Sequence, residues 1–151
     1  MKPRVLFLCT GNSARSQMAE GYLRHRAGDH YDVMSAGIAP RGLHPLAVTA
    51  MQEIGIDISQ QTSKGAISFL GQPIQYVITV CDSAKEQCPI FPGTFKYLHW
   101  SFPDPAAVEG SQEEQLAAFR EARDAIVSRI DQELVQPSVS SRPSTQPAAR
   151  I

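Results

Sequence analysis

The sequence contains no long apolar run and no excess of charge of one sign. Its first apolar run, residues 5–8, is too short for the core of a signal peptide, and no later run approaches the roughly 20 apolar residues of a membrane-spanning helix. Its 14 basic residues nearly balance its 15 acidic ones, which leaves a formal net charge of −1. These absences argue against membrane and nucleic-acid partners. We expect a cytoplasmic protein that holds any anionic ligand by local geometry.

Cysteine is also scarce, with only Cys9, Cys81 and Cys88 in 151 residues. An odd number of cysteines does not predict a static disulfide framework, and thiols stay reduced in the cytoplasm. Six residues separate Cys81 from Cys88, and no histidine pair has the spacing of zinc ligands, so we expect no metal site. The four histidines show no motif and are interpreted as surface or packing residues: His25, His30, His44 and His99.

Four short apolar segments predict β-strands. They are "RVLFLC" (4–9), "YDVMSAGI" (31–38), "IQYVITVC" (74–81) and "FKYLHWSF" (95–102). Because helix-like segments separate them, the sequence predicts a single-domain α/β fold, with a four-stranded parallel sheet flanked by helices on both faces. Ligands of such sheets bind beyond the carboxyl ends of the strands, where Cys9 and Cys81 both lie.

The segments between the strands have the apolar spacing of helices. We predict helices at residues 16–28, 44–55, 62–71, 82–88 and 111–135, the third of them opened by Thr62 or Ser63. The domain therefore spans residues 1–135. Residues 136–151 are rich in proline and serine, which predicts a disordered tail.

The segment "CTGNSARSQ", residues 9–17, joins the first strand to the first helix. Its small residues let the chain wrap so that successive N–H groups point inward beside a helix N-terminus, which makes an anion cradle. Gly11 allows a positive φ, and Asn12 tolerates one. Without a Gly-Lys-Ser/Thr sequence, the segment is not a nucleotide-binding Walker loop. The cradle would be lined by Thr10, Gly11, Asn12, Ser13, Ala14, Arg15 and Ser16.

Cys9 would lie at the floor of this cradle. The inward N–H groups, the helix dipole and Arg15 would stabilise a thiolate there, and Ser16 is placed to donate a hydrogen bond to the sulfur. Arg15 can hold two oxygens of a tetrahedral oxyanion with its planar fork. A thiolate below a bound phosphate or arsenate is positioned for in-line attack. The alternative for Cys9 is a buried filler at the end of a strand.

Such an attack needs an acid for the departing oxygen. Asp104, in the segment "FPDPA", follows the last predicted strand and so lies at the same edge of the sheet as Cys9. We predict that it is the general acid. The alternative for Asp104 is a turn or helix N-cap residue.

Five segments together resemble the thioredoxin-coupled arsenate reductases, which share the fold of the low-molecular-weight tyrosine phosphatases. They are "LCTGNSARSQMAEG", "SAGI", "GIDISQQTSK", "VITVCDSAKEQCPIFPG" and "WSFPDPA", and the resemblance covers residues 4–135. The first segment fits the whole superfamily. The pair Cys81 and Cys88 selects the reductase branch.

The resemblance implies a relay of three thiols. Cys9 attacks arsenate held by Arg15 and the loop amides, and Asp104 helps an oxygen leave as water. Cys81 then attacks Cys9, arsenite is released, and a Cys9–Cys81 disulfide forms. Cys88 attacks Cys81, and the resulting disulfide is reduced by thioredoxin, or by glutathione or another thiol in its place. We expect a monomer that needs no cofactor.

Two positions depart from the resemblance. Ala14 stands where many phosphatases of this fold have a second cysteine. Lys64 stands where some relatives have an acidic residue beside a monovalent-cation site, whose members here would be Asn12, Glu20, Ser35 and Thr62. The ammonium group of Lys64 would disfavour a cation or substitute for it. The alternative is a solvated surface lysine.

Two other functions stay open on the sequence. The same cradle, arginine and aspartate would serve a phosphatase that hydrolyses phosphoesters through a phosphocysteine at Cys9, with Cys81 and Cys88 as structural thiols. A non-catalytic oxyanion sensor could use the same loop. The intact nucleophile, arginine and acid argue against that sensor.

Overall fold

The computed structural model describes residues 2–81, 88, 91, 93, 94 and 96–135. A parallel four-stranded sheet lies at its centre, in the order β2-β1-β3-β4. The strands are β1 (Arg4–Cys9), β2 (Asp32–Gly37), β3 (Tyr76–Thr79) and β4 (Lys96–His99). The predicted α/β class and the parallel sheet are confirmed, with β3 and β4 shorter than predicted.

The strand β1 is buried on both faces, since Val5, Leu6, Phe7 and Leu8 have no exposed surface. The chain runs outward from β1 to β2 and then returns to β3 on the other side of β1. The carboxyl ends of β1 and β3 therefore flank the switch point of the sheet, where ligands of this architecture bind. A hydrogen bond of 2.8 Å from the Val80 N–H to the Leu8 carbonyl keeps the chain extended beyond β3 and brings Cys81 to this place.

The described part of the chain has three α-helices: α1 (Arg15–Ala27), α2 (Pro45–Gln52) and α3 (Gln112–Ile130), the last followed by a π-helical turn (Asp131–Val135). Each buries an apolar stripe, as their spacing predicts. The buried apolar side chains are Met18, Ala19, Tyr22 and Leu23 on α1, Leu46, Ala47, Ala50 and Met51 on α2, and Phe119, Ala122, Ile126 and Ile130 on α3.

The bounds of α2 are narrower than the predicted 44–55. His44 lies outside the helix as its N-cap, because its ring accepts a hydrogen bond from the Leu46 N–H. Pro45 at the first helical position needs no acceptor for a backbone N–H. The helix ends at Gln52, ahead of Gly55, whose φ of +82° takes the chain into the left-handed region.

The short helix predicted at 62–71 starts later and is shorter than predicted, because only a 3₁₀ helix forms there, Ala66–Phe69. The preceding residues instead contact the cradle segment. The Lys64 N–H donates to Asn12 Oδ1 over 2.7 Å, and the Ser63 hydroxyl donates to the Gly11 carbonyl over 3.2 Å. Gly65 forms a parallel bridge with Gly37. These contacts hold the chain extended, so neither Thr62 nor Ser63 opens a helix.

The helix predicted at 82–88, apart from Cys88, and the tail predicted at 136–151 lie outside the described residues. Within the described ranges, no helix combines the length and apolar character needed to cross a membrane.

Candidate active site

The segment after β1 wraps as a cradle, and three of its carbonyls are engaged by the chain that follows β2. The carbonyls of Thr10, Gly11 and Ser13 accept hydrogen bonds of 2.8–2.9 Å from the N–H groups of Ala39, Arg41 and His44, in that order. Because peptide N–H and C=O groups point in opposite directions, this pairing turns the loop amides towards the opposite, inner side.

Two backbone positions allow this path. Asn12 has a φ of 46°, so the left-handed conformation that its side chain tolerates is observed there. The positive φ that we allowed at Gly11 is not observed, since Gly11 is absent from the glycines in that region. A Cβ there would lie 2.9 Å from Nε of Arg41, a flexible side chain that could move aside. The guanidinium of Arg41 thus lies beside Gly11.

Cys9 lies at the floor of the cradle with 2% of its surface exposed. Its Sγ is 2.8 Å from the hydroxyl oxygen of Ser16 and accepts a hydrogen bond of 3.2 Å from the Asn12 N–H. The helix α1 starts beside it at Arg15, after an N-cap residue, Ala14, that has no side-chain acceptor. Its N-terminal N–H groups therefore remain available to an anion.

A buried hydrogen-bond network stands behind Cys9 and starts at Glu20. The Ser35 hydroxyl donates to Oε1 of Glu20, and the Asn12 side-chain amide donates to both Ser35 and Ser16, each over 2.9 Å. The amide oxygen of Asn12 accepts from the Gln17 side chain at 3.1 Å. The orientation of the Asn12 amide is fixed by these donors and acceptors.

Arg15 and Asp104 meet in the same cleft as Cys9. The Arg15 guanidinium donates to the Phe102 carbonyl over 3.0 Å, and its second amino group lies 3.8 Å from Oδ2 of Asp104. Oδ1 of Asp104 accepts from the Ala106 N–H over 3.0 Å and so caps the 3₁₀ turn Pro105–Ala107. Asp104 is therefore an N-cap residue, as the alternative interpretation proposed. Its other carboxylate oxygen, Oδ2, faces Arg15 in the site.

These groups line one cleft of about 470 Å³. Its walls include Cys9, Arg15 and Asp104, as expected, and also Arg41 and His44. Sequence reasoning missed Arg41 entirely and interpreted His44 as a surface or packing residue. The sequence does contain a signal for both residues: the segment "RGLHP" comes just after a predicted strand and so lies at the same edge of the sheet as the cradle. Burial lowers the pKa of His44, and the nearby Asp104 carboxylate opposes that shift.

The structure brings Cys81 to the cradle, where its Sγ lies 3.2 Å from the Thr10 hydroxyl. Cys88 is half-buried against the core, and burial raises the pKa of its thiol. Cys9, Cys81 and Cys88 are all present as reduced thiols rather than in disulfides. Cys81 is therefore adjacent to the loop that begins with Cys9, in a fully reduced protein.

Lys64 lies where the sequence predicts either a cation site or a surface lysine. Its ammonium group donates to the Thr62 carbonyl over 2.6 Å and lies 3.8 Å from Oε1 of Glu20. The other carboxylate oxygen of Glu20 accepts from Arg24 over 2.5 Å. The nearly buried carboxylate thus has a cationic side chain on each oxygen. Across the described residues, no three His, Cys, Asp or Glu side chains are grouped so that they could hold a metal ion.

Comparisons with known proteins show the family to which the chain belongs. Residues 4–140 match the family described as low molecular weight phosphotyrosine protein phosphatase. The chain is 51% identical over 129 residues to an arsenate reductase of Halalkalibacterium halodurans, which covers 85% of this chain and 93% of that protein.

Two solved structures extend the comparison. An arsenate reductase in the phosphate binding state has a TM-score of 0.75 and 32% identity, and covers 87% of this chain and 95% of its own. A thioredoxin-dependent arsenate reductase of Corynebacterium glutamicum has a TM-score of 0.58 and 31% identity, and covers 87% of this chain and 63% of its own.

Proposed function

Because this chain belongs to the low molecular weight phosphotyrosine protein phosphatase family, and within it to the arsenate reductases, we propose that it reduces arsenate to arsenite with thioredoxin as reductant. The observation that carries the proposal is the contact of the Cys81 thiol with Thr10, which puts a second sulfur at the rim of the cradle. A phosphatase of this fold needs only the first sulfur.

In the first step, arsenate binds to the loop amides, the N-terminus of α1 and Arg15. The sulfur of Cys9 attacks arsenic, so that an As–S bond forms and one As–O bond breaks. Asp104 gives a proton to the departing oxygen, which leaves as water. The hydrogen bonds from Ser16 and the Asn12 N–H support this role for Cys9, because they stabilise the sulfur before it attacks.

In the second step, the sulfur of Cys81 attacks the sulfur of Cys9. An S–S bond forms, the electron pair of the As–S bond stays with arsenic, and As(V) becomes As(III), which leaves as arsenite. The Thr10 hydroxyl supports this role by holding the sulfur of Cys81 beside the loop.

In the third step, Cys88 attacks Cys81 and releases the Cys9 thiolate. The dithiol of thioredoxin then supplies the two electrons and two protons that return Cys81 and Cys88 to thiols. Because burial raises the pKa of Cys88, this step should accelerate as the pH rises towards and beyond that pKa. We also propose a cytoplasmic location, since the relay starts from three reduced thiols and that compartment maintains them.

We further propose that Lys64 replaces an inorganic cation. Its contacts with Thr62 and Glu20 support this, because a cation at this place would bind the same oxygens. Activity at constant ionic strength should be the same in potassium and in tetramethylammonium salts. In Lys64→Gln, added potassium should restore lost activity. Potassium dependence of the unaltered protein would contradict the proposal.

A coupled assay tests the main proposal. Arsenate-dependent NADPH oxidation is measured with thioredoxin and thioredoxin reductase, beside hydrolysis of an aryl phosphate. The unaltered protein should turn over arsenate, whereas Cys88→Ser should complete at most about one turnover and keep its aryl phosphate hydrolysis. Full turnover by Cys88→Ser would exclude the three-thiol relay. Hydrolysis without arsenate turnover would instead favour the phosphatase, and absence of both would favour an oxyanion sensor.

A further inference from the structure

His44 is bonded to the anion cradle although none of the steps above uses it. Its N–H donates to the Ser13 carbonyl over 2.9 Å, and its own carbonyl accepts from Ala47 and Val48 in the first turn of α2. The residue therefore joins the rim of the cradle to the start of a helix.

The imidazole ring adds two further contacts. Nδ1 accepts a hydrogen bond of 3.1 Å from the Leu46 N–H, and the ring packs on Phe119 of α3 with 4.6 Å between the ring centroids. An imidazole nitrogen that accepts a hydrogen bond has no proton of its own. The ring is thus neutral in this geometry, with its proton on Nε2.

Protonation would remove this arrangement. An imidazolium donates from both nitrogens, so the Leu46 N–H would lose its acceptor, and a positive charge at a helix N-terminus is unfavourable. Of the charged groups in the cleft, Arg15 and Arg41 would repel the imidazolium and Asp104 would attract it.

Helix α3 presents no acidic side chain to the His44 ring that could stabilise an imidazolium. The contact there is the uncharged ring of Phe119. The flanking Arg120 and Arg123 are paired with Glu53. Burial outweighs Asp104 and leaves the pKa of His44 below its ordinary value, which agrees with a neutral ring near pH 7.

We propose that His44 is a positioning residue of the oxyanion site: its neutral ring holds the start of α2 against the cradle, and its protonation in acid loosens the Ser13 side of the cradle and weakens oxyanion binding. A folded-state pKa below the unfolded one means that the stabilisation by His44 is complete above about pH 6.5 and is lost as the pH falls through the folded value. The inference rests on the proposed function only for the identity of the oxyanion, since inorganic phosphate reports on the same cradle.

The test compares His44→Asn with the unaltered protein. Asparagine is a strong N-cap residue, so it keeps a side-chain acceptor for the helix but does not titrate. Phosphate affinity is measured by calorimetry on the full reduced chain at about pH 7.5 and at a pH low enough for nitrogen NMR to show the His44 ring protonated. From the higher to the lower pH, the phosphate affinity of the unaltered protein should fall about five-fold more than that of His44→Asn. This factor corresponds to the loss of one N-cap hydrogen bond. His25→Asn, on the exposed side of α1, is the matched control and should follow the unaltered protein.

Equal losses in His44→Asn and the unaltered protein would overturn the proposal. A second measurement needs no variant: nitrogen NMR of the imidazole should show the Nε2–H tautomer at about pH 7.5, and a proton on Nδ1 would equally overturn it. The two proposals fail separately. Phosphate binding with the expected pH dependence but no arsenate turnover would overturn only the function, and arsenate turnover with no His44 effect would overturn only this inference.

Discussion

The hydroxyl oxygen of Ser16 lies 2.8 Å from Sγ of Cys9 and at the same time accepts a hydrogen bond from the side-chain amide of Asn12. Because Asn12 supplies a donor to that oxygen, the single proton of the hydroxyl is free to point at the sulfur. The Asn12 N–H donates to the same sulfur. When Cys9 is a thiolate, two donors therefore converge on it from a network that begins at the buried carboxylate of Glu20.

Replacing Ser16 by alanine should slow the reaction of Cys9 without unfolding the protein. A hydrogen bond to a charged group contributes about 1.5–3 kcal/mol, so the rate of single-turnover arsenate reduction should fall by about ten-fold or more. Alkylation of Cys9 by iodoacetamide, followed by mass spectrometry, checks the same step without arsenate. Ser128→Ala, on the exposed side of α3, is the control. An unchanged rate in Ser16→Ala would mean that the hydroxyl does not assist the sulfur.

Gly37→Ala should displace the cradle segment, although Gly37 itself lies outside that segment. A Cβ at Gly37 would lie 2.7 Å from the Thr10 carbonyl oxygen and 2.8 Å from the Asn12 nitrogen, so the loop must shift. A displacement of about 1 Å in such a site can cost about 100-fold in rate, and we expect at least ten-fold in kcat/KM for arsenate. Its bridge partner Gly65 is the matched control, since a Cβ there meets nothing closer than 3.7 Å. Equal activity of the two variants would contradict the expected shift of the loop.

Arg41→Gln should reduce the capture of arsenate rather than its chemistry. Arg41 is exposed at the mouth of a cleft in a chain whose net charge is −1, so its guanidinium adds local attraction for an anion. We expect kcat/KM to fall a few-fold, with little change in kcat and a weaker dependence on ionic strength. Arg26→Gln, on exposed α1 surface away from this cleft, should keep the original salt dependence. A salt dependence that survives in Arg41→Gln would show that the steering charge lies elsewhere.

The hydrogen bond between Tyr22 and Asp131 of the π-helical turn predicts how the protein behaves at alkaline pH. Burial and the hydrogen bond of 2.7 Å to Asp131 raise the pKa of Tyr22 to about 12. A raised pKa means that the stabilisation by neutral Tyr22 is complete below about pH 10 and is lost as the pH rises through the folded value. Ultraviolet titration should therefore show one tyrosine that ionises near the highest pH, and Tyr22→Phe should remove that component. Loss of the hydrogen bond should also lower the free energy of unfolding by about 1 kcal/mol in chemical denaturation.

The sheet and its site edge could be predicted because their signals are local. Short apolar segments predicted all four strands, and the alternation of strands with helices predicted parallel pairing, which brought Cys9, Cys81 and Asp104 to one edge. Asn12 was recognised as a residue that tolerates the left-handed region, which few other side chains do. These features depend on neighbouring residues and on chain order alone.

The errors involve contacts between distant segments. Residues 62–65 have a sequence compatible with a helix start, but Lys64 and Ser63 bond to the cradle instead, and no local pattern shows this. The same holds for His44, whose importance lies in its bonds to Ser13 and Leu46. Gly11 was assigned a conformational reason, whereas its φ is not positive in the structure.

The pairing of the cradle carbonyls with residues 39–44 has a consequence for how quickly the site can work. Thr10, Gly11 and Ser13 are held by ordinary backbone hydrogen bonds, and both partners of each bond belong to the protein chain itself. The incoming anion therefore does not have to organise the loop, and little conformational entropy is lost at that moment. Capture should proceed in one kinetic phase whose rate is proportional to anion concentration, with no slower closing phase behind it.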